Sequence, residues 1–138
     1  MVQPFHLAIP VNDLTAAQQF YGDLFGCEQG RSDSEWIDWN FFGHQLVTHK
    51  VASMPARLSP NQVDAQAVPV PHFGVVLTMA QWQQLAARLE DAGQRFIIKP
   101  YIRFKDQPGE QATMFLLDPA GNALEFKAFA DAKQLFAR

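Results

Sequence analysis

The sequence predicts an α+β fold: two paired βαβββ modules whose mixed sheet forms a cup. Three observations carry this. The order strand–helix–strands occurs twice along the chain. Within each half, apolar residues switch from alternation, the signature of a strand, to a spacing of three to four, the signature of a helix. The whole is 138 residues long, enough for one ordinary domain and too short for two.

The first half opens with Phe5, Leu7, Ile9 and Val11 alternating along a strand. Asn12 or Asp13 offers a helix N-cap. Leu14, Ala17, Tyr21 and Leu24 then recur at helical spacing, and Gly26 stands where a C-terminal glycine belongs. Strand-like stretches follow at 36–40 and 45–51.

The second half repeats this order. Residues 70–77 read as a strand, Thr78 and Gln81 as a capping box, and Trp82, Leu85, Ala86 and Leu89 as a helical stripe that ends at Gly93. Further strands are expected at 96–102, 112–117 and 123–129. His6 and His72 are 66 positions apart, and Gly26 and Gly93 are 67 apart. That near-constant offset marks a duplication. A half of this size could hardly bury its own faces, so the two are expected to pair. Module 1 is placed at about 1–52, a polar connector at 53–69, module 2 at 70–130 and a tail at 131–138. The tail is expected to form a short helix with Leu135 and Phe136 docked.

Composition narrows the function. Eleven Lys and Arg stand against fourteen Asp and Glu, a net charge of −3, which argues against a nucleic-acid surface or a polybasic membrane patch. One cysteine, Cys27, excludes an intrachain disulfide and a Cys-rich zinc site. There is no apolar run of membrane-spanning length and no signal-peptide pattern, so a cytoplasmic location is expected. Twelve Phe and three Trp against two Tyr leave the polar chemistry to few residues, among them His6, His44, His49 and His72.

Alternation sorts the candidates by face. His6 and Ala8 share the face of the first strand opposite its apolar residues. His72 and Gly74 do so in the matching strand, and Ala123, Glu125 and Lys127 in the last. The small neighbours Ala8, Gly74 and Ala123 are expected to leave room for a ligand. Two imidazoles and one carboxylate converging on open space form a facial donor set for a divalent first-row metal. Each residue alone has a plainer reading: a hydrogen-bonded strand-end histidine, or a surface carboxylate paired with Lys127. Two histidines at equivalent points of a duplicated unit are harder to explain that way.

Four stretches resemble the vicinal oxygen chelate superfamily, which includes glyoxalase I, extradiol dioxygenases and bleomycin-resistance proteins. They are Phe5 to Asp13, Phe20-Tyr21 through Leu24-Phe25-Gly26-Cys27, Pro71-His72-Phe73-Gly74, and Phe115 to Phe126. The last holds Asp118-Pro119-Ala120-Gly121-Asn122-Ala123-Leu124-Glu125 and is the most specific. The resemblance implies the glyoxalase/dioxygenase-like fold. It places His6, His72 and Glu125 at the family's metal-ligand positions. The expected cofactor is a divalent metal ion, Fe(II) or Mn(II), with Zn(II), Ni(II) and Co(II) as alternatives. Aligning Gly43 with Gly121 puts Val47 at a fourth family position, where valine cannot ligate. His49, one pleat along, is read either as a ligand or acid/base group near the substrate, or as a solvated strand-end histidine. Trp36, Trp39 and Phe42 are candidates to line the cup, or else core or dimer surface.

The expected function is a metal-dependent enzyme acting on a small oxygen-chelating substrate by dioxygenase-like or lyase/isomerase chemistry, with Glu125 doubling as base if it leaves the metal. The alternative is a metal-free, ligand-sequestering binding protein. The expected partner is a small-molecule substrate, with no nucleic acid and no membrane. A homodimer, common in the family, is compatible with a small apolar-rich domain, and the sequence leaves the oligomeric state open.

Overall fold

The computed structural model describes residues 2–138. The fold is α+β and contains two compact units. Unit 1 comprises Met1–Arg57 with Asp118–Asn122, and unit 2 comprises Leu58–Leu117 with Ala123–Arg138.

Unit 1 holds β1 (His6–Val11), α1 (Leu14–Ala17), β2 (Glu28–Ser32), β3 (Trp36–Phe41) and β4 (His44–Lys50). Asp13 caps α1 by accepting from the Ala16 amide at 3.1 Å. The helix then widens into a π-helix over Gln18–Leu24. Its longer turn brings Phe20, Tyr21 and Phe25 inward. The strand order is β1-β4-β3-β2. β1 lies parallel to β4, as a crossover through a helix permits, and the other pairs are antiparallel. Trp39 is 2% exposed and donates to Thr48 at 3.2 Å, so it is a core residue rather than a cup-lining one. Every residue of β2 is exposed, which left no alternation in the sequence to reveal it.

Unit 2 repeats the arrangement with β7 (Val76–Leu77), α2 (Met79–Asp91), β8 (Ile98–Arg103), β9 (Gln111–Leu117) and β10 (Ala123–Phe129), in the order β7-β10-β9-β8. The capping box at Thr78 and Gln81 forms in full. Trp82, Leu85, Ala86 and Leu89 are all buried, and Gly93 takes a left-handed φ of 73°. Trp82 also donates to the Phe126 carbonyl at 3.0 Å.

The expected strand at 70–77 is shorter than its sequence pattern. Regular pairing is confined to Val76–Leu77, with an isolated parallel bridge from Phe73 to Leu124. Gly74 explains part of the difference. Its backbone lies so close to β10 that a Cβ there would overlap the Glu125 carbonyl oxygen. Gly74 is therefore small because main chain occupies the space, not to leave room for a ligand.

Two other expectations change. The stretch at 53–69 is not simply a connector, because it carries a hairpin of β5 (Asn61–Val63) and β6 (Gln66–Val68). Its two turn residues, Asp64 and Ala65, both have positive φ, as a two-residue hairpin turn requires. The tail does form a short helix, a 3-10 turn over Ala132–Phe136, but Phe136 is 88% exposed and does not dock.

The segment Asp118–Asn122 explains the most specific sequence motif. The Asp118 side chain is buried and accepts four hydrogen bonds. Oδ1 takes the amides of Ala120 at 2.9 Å and Asn122 at 2.8 Å, and Oδ2 takes the Tyr21 hydroxyl at 2.7 Å and Asn122 Nδ2 at 2.9 Å. Asn122 Nδ2 also donates to the Pro10 carbonyl at 2.7 Å. Gly121, at φ 96°, closes the turn with its amide on the Asp118 carbonyl at 3.0 Å. Burial, followed by the neighbouring carboxylate that accepts its proton, raises the Tyr21 hydroxyl well above its usual value.

Three outcomes follow. Tyr21→Phe removes a charge-assisted bond and should lower unfolding free energy by about 1.5–3 kcal/mol in denaturant titration. In a Tyr101→Phe background, phenolate absorbance from Tyr21 should emerge only well above about pH 10. A raised folded-state pKa means this contribution is full below that pH and is lost as pH rises through the folded value. Gly74→Ala should cost at least about 2 kcal/mol by the same titration, because the clash is with backbone.

Candidate functional site

In unit 2, β10 and β9 set Glu125 opposite Phe115 and Lys127 opposite Thr113. β8 continues the rows with Ile98 beside Phe115 and Tyr101 beside Thr113. These residues share the sheet face turned away from the apolar set Leu124, Phe126 and Ala128. His72 reaches this face from the segment before β7, with its ring edge-on to Phe115 at 5.0 Å between centroids.

His72 and Glu125 come together, with Nε2 to Oε1 at 3.1 Å. The other ring nitrogen decides what that distance means. Nδ1 lies 2.6 Å from the Pro69 carbonyl oxygen. A carbonyl only accepts, so Nδ1 carries the proton. A neutral His72 therefore points the Nε2 lone pair at a carboxylate oxygen. Two acceptors so close need a proton or a cation between them. Glu125 Oε2 is otherwise engaged, accepting from the Thr113 hydroxyl at 2.7 Å, with Lys127 Nζ at 3.9 Å.

The electrostatics agree. The hydrogen bond with Glu125 raises the His72 pKa above the usual histidine value, against an opposing effect of burial and with help from Pro69. For Glu125 burial is the largest influence and acts upward. The bonds from His72 and Thr113 and the charge of Lys127 outweigh it, and the carboxyl lies below its usual value. In the metal-free protein the His72 contribution to stability is complete below the ordinary histidine pKa and fades as pH rises through the raised one. The Glu125 contribution is present above the ordinary carboxylate pKa and fades as pH falls through the lowered one.

In unit 1, His6 begins β1 and is exposed, opposite Gln45 in β4. Its Nδ1 lies 2.7 Å from Gln45 Oε1. The Gln45 amide nitrogen faces Asp38 Oδ2 at 3.5 Å, which orients the amide oxygen toward His6. Nδ1 is again the donor, and Nε2 is left with its lone pair. His6 and His72 thus present the same ring nitrogen. Binding one imidazole nitrogen to an oxygen acceptor is how proteins orient the other toward a metal.

The remaining candidates lie in unit 1. Val47 pairs with Ala8, as Gly74 runs alongside Glu125 in unit 2, so valine occupies the register position that glutamate holds in the second half. His49 is exposed near the end of β4, opposite Trp36, and its ring has no partner among the described residues. His44 accepts from the Phe5 amide at 2.8 Å, a structural role. Phe42, at φ 53°, is 40% exposed in the β3–β4 turn.

Among the described residues no group of three or more His, Cys, Asp or Glu side chains is gathered that could hold a metal ion. The structure gathers two, His72 and Glu125. Sequence reasoning missed the groups that hold these two and the group that holds His6. Thr113 was legible in principle, since alternation along β9 puts it on the face of Phe115. Gln45 required the parallel pairing of β1 with β4. The Pro69 carbonyl left no side-chain signal at all.

No helix among the described residues is long and apolar enough to cross a membrane. None of the curated proteins matches the sequence. Among solved structures it is similar to a glyoxalase/bleomycin resistance protein/dioxygenase from Alicyclobacillus acidocaldarius, with 32% identity and a TM-score of 0.80 over 97% of this chain and 96% of that one. It shares its fold with two more distant proteins. One is the genomically encoded fosfomycin resistance protein of Listeria monocytogenes, at 17% identity and a TM-score of 0.69 over 98% and 100% of the two chains. The other is the lactoylglutathione lyase of Agrobacterium tumefaciens, at 20% identity and a TM-score of 0.67 over 100% and 98%. The family model of the Glyoxalase/Bleomycin resistance protein/Dioxygenase superfamily matches residues 3–126. The chain belongs to that superfamily.

Proposed function

We propose that the protein is a metal-dependent enzyme of this superfamily that acts on a small oxygen-chelating substrate. The observation that carries the reading is the approach of His72 Nε2 to Glu125 Oε1 at 3.1 Å with the Nδ1 proton already committed to Pro69, so that a proton or a cation must lie between them. Such a pair suits a cation held between its members.

By donor type the residues suit a divalent first-row ion, and the structure brings two of them, His72 and Glu125, together. His6 and His72 would supply neutral imidazole nitrogens and Glu125 one carboxylate oxygen. Fe(II) or Mn(II) suits that mixture, and Zn(II), Ni(II) and Co(II) are accepted by the same donors. When bound, the ion would polarise substrate oxygens as a Lewis acid in dioxygenase-like or lyase/isomerase chemistry.

The chain's own residues supply the rest. Pro69 and Gln45 hold the two imidazoles in one tautomer. Thr113 holds Glu125 Oε2 by a hydrogen bond, leaving Oε1 to the ion. Val68, Ile98 and Phe115, with Tyr101 packed on them, form an apolar cluster on this unit that would exclude water from one side of a substrate. Glu125 can take up a proton if it leaves the ion. His49, exposed and with no ring partner among the described residues, would serve as an acid/base group near the substrate.

The test is metal uptake. Protein stripped with a chelator and titrated with Mn(II), Fe(II) and Zn(II) should bind about one ion per chain. Glu125→Ala should weaken that affinity by at least about tenfold with an unchanged circular dichroism spectrum. A wild-type chain that takes up no metal would overturn the reading and favour a metal-free binding protein. Oxygen-uptake and hemithioacetal assays on the loaded protein then separate the two reaction classes.

A further inference from the structure

Among the described residues one buried side-chain nitrogen or oxygen makes no hydrogen bond, Nε of Arg103 at the end of β8. Burying an N–H of a charged group without an acceptor is costly. The rest of the guanidinium is engaged. Nη2 forms an ion pair with Asp64 Oδ2, and the Phe104 ring lies 5.0 Å from Cζ. Nε and Nη2 point their N–H groups from one edge of a guanidinium, spaced to meet the two oxygens of a single carboxylate. Asp64 meets the Nη2 side of that fork and leaves Nε unpaired.

Asp64 comes from a lightly seated piece of chain. It is a turn residue of the β5–β6 hairpin, where residues 61–67 are all exposed and only Val68 is buried, against Ile98 and Phe115. Residues 61–67 make one side-chain polar tie to the remainder of unit 2 among the described residues, the Asp64–Arg103 pair. Lifting the hairpin tip off Arg103 therefore exposes little apolar surface.

We propose that Arg103 is the receiving residue of a binding site for a small carboxylate ligand, which takes both Nε and Nη2 and displaces Asp64, its tethered stand-in. A carboxylate is the class that fits for two reasons. Its two oxygens are coplanar and match the fork, and the group it replaces is itself a carboxylate. The exchange keeps the charge of the seat and gives Nε the acceptor that Asp64 does not.

The seat lies apart from the His72–Glu125 pair. Arg103 pairs with Gln111 in β9, and Gln111 with Phe129 in β10, four residues beyond Glu125. Two strand spacings and four residue rises put the Cα atoms of Arg103 and Glu125 about 17 Å apart. The proposal stands with or without a metal.

The test titrates the full chain with acetate, read by proton–nitrogen correlation of the arginine Nε–H groups and the β8 backbone amides. In wild type the Arg103 Nε–H resonance should shift to saturation as it gains an acceptor. Asp64→Asn removes the competing charge and should bind acetate about fivefold more tightly, the worth of a half-exposed ion pair. Arg103→Met should abolish the acetate-dependent shifts in β8, and Arg103→Lys should not restore them, because an ammonium lacks the fork. Arg95→Met, at an exposed arginine of the same unit, should change nothing. An Arg103 Nε–H resonance that ignores acetate in both wild type and Asp64→Asn overturns the proposal. So does equal affinity of those two proteins, or binding that survives Arg103→Met. An equal response to chloride at the same ionic strength would mean screening of the ion pair rather than a seat, and a stronger response to inorganic phosphate would mean a different class of anion. Either result overturns the proposal.

Discussion

Unit 1 is organised around one buried carboxylate. Asp118 accepts two backbone amides, a phenol and a side-chain amide, so both its oxygens are saturated and its charge is compensated where burial would otherwise be costly. Three separate pieces of chain meet there. The π-helix delivers Tyr21, the turn 118–122 delivers its own amides, and Asn122 reaches on to the Pro10 carbonyl of β1. A short turn is thereby fixed on both sides. That turn leads directly in sequence into β10, the strand that bears Glu125.

This gives the Asp-Pro-x-Gly-Asn motif a structural rather than a catalytic meaning. Proline fixes φ after the aspartate, glycine supplies the left-handed turn at φ 96°, and asparagine bridges to a neighbouring strand. The glutamate three residues beyond the asparagine takes no part in this network and is the member proposed as a metal donor. A motif that reads as one string in the sequence divides at Ala123 into a scaffold part and a proposed donor part.

How much was legible follows from what each residue announces. α2 was readable to its ends because Thr78, Gln81 and Gly93 mark both termini and Trp82, Leu85, Ala86 and Leu89 face one way. β2 was not, since an edge strand exposed throughout shows no alternation. The Asp64–Ala65 turn lacks the glycine that usually signals two left-handed residues in a row. His72 and Glu125 were singled out by duplication and motif, and the structure brings them within 3.1 Å of each other. The groups that hold the predicted ligands were harder: Thr113 beside Glu125 and Gln45 beside His6 act through pairing across strands, and Pro69 holds His72 through its backbone, where the side chain carries no information. Gly74 was correctly singled out for its size, but the reason was main-chain proximity, which only coordinates reveal.

That proximity bears on how the site could diversify. Donor sets drift over evolutionary time when a side chain is exchanged and its neighbours shift to accommodate a new reach. At Glu125 the main chain is pinned from outside by Gly74 and cannot shift in step. Under the proposed metal role, variation in metal preference or substrate would be steered toward the side chains beside the carboxylate, Thr113 and Lys127, and away from shifts of the backbone that carries it. A lineage can retune this site, but it has little freedom to move it.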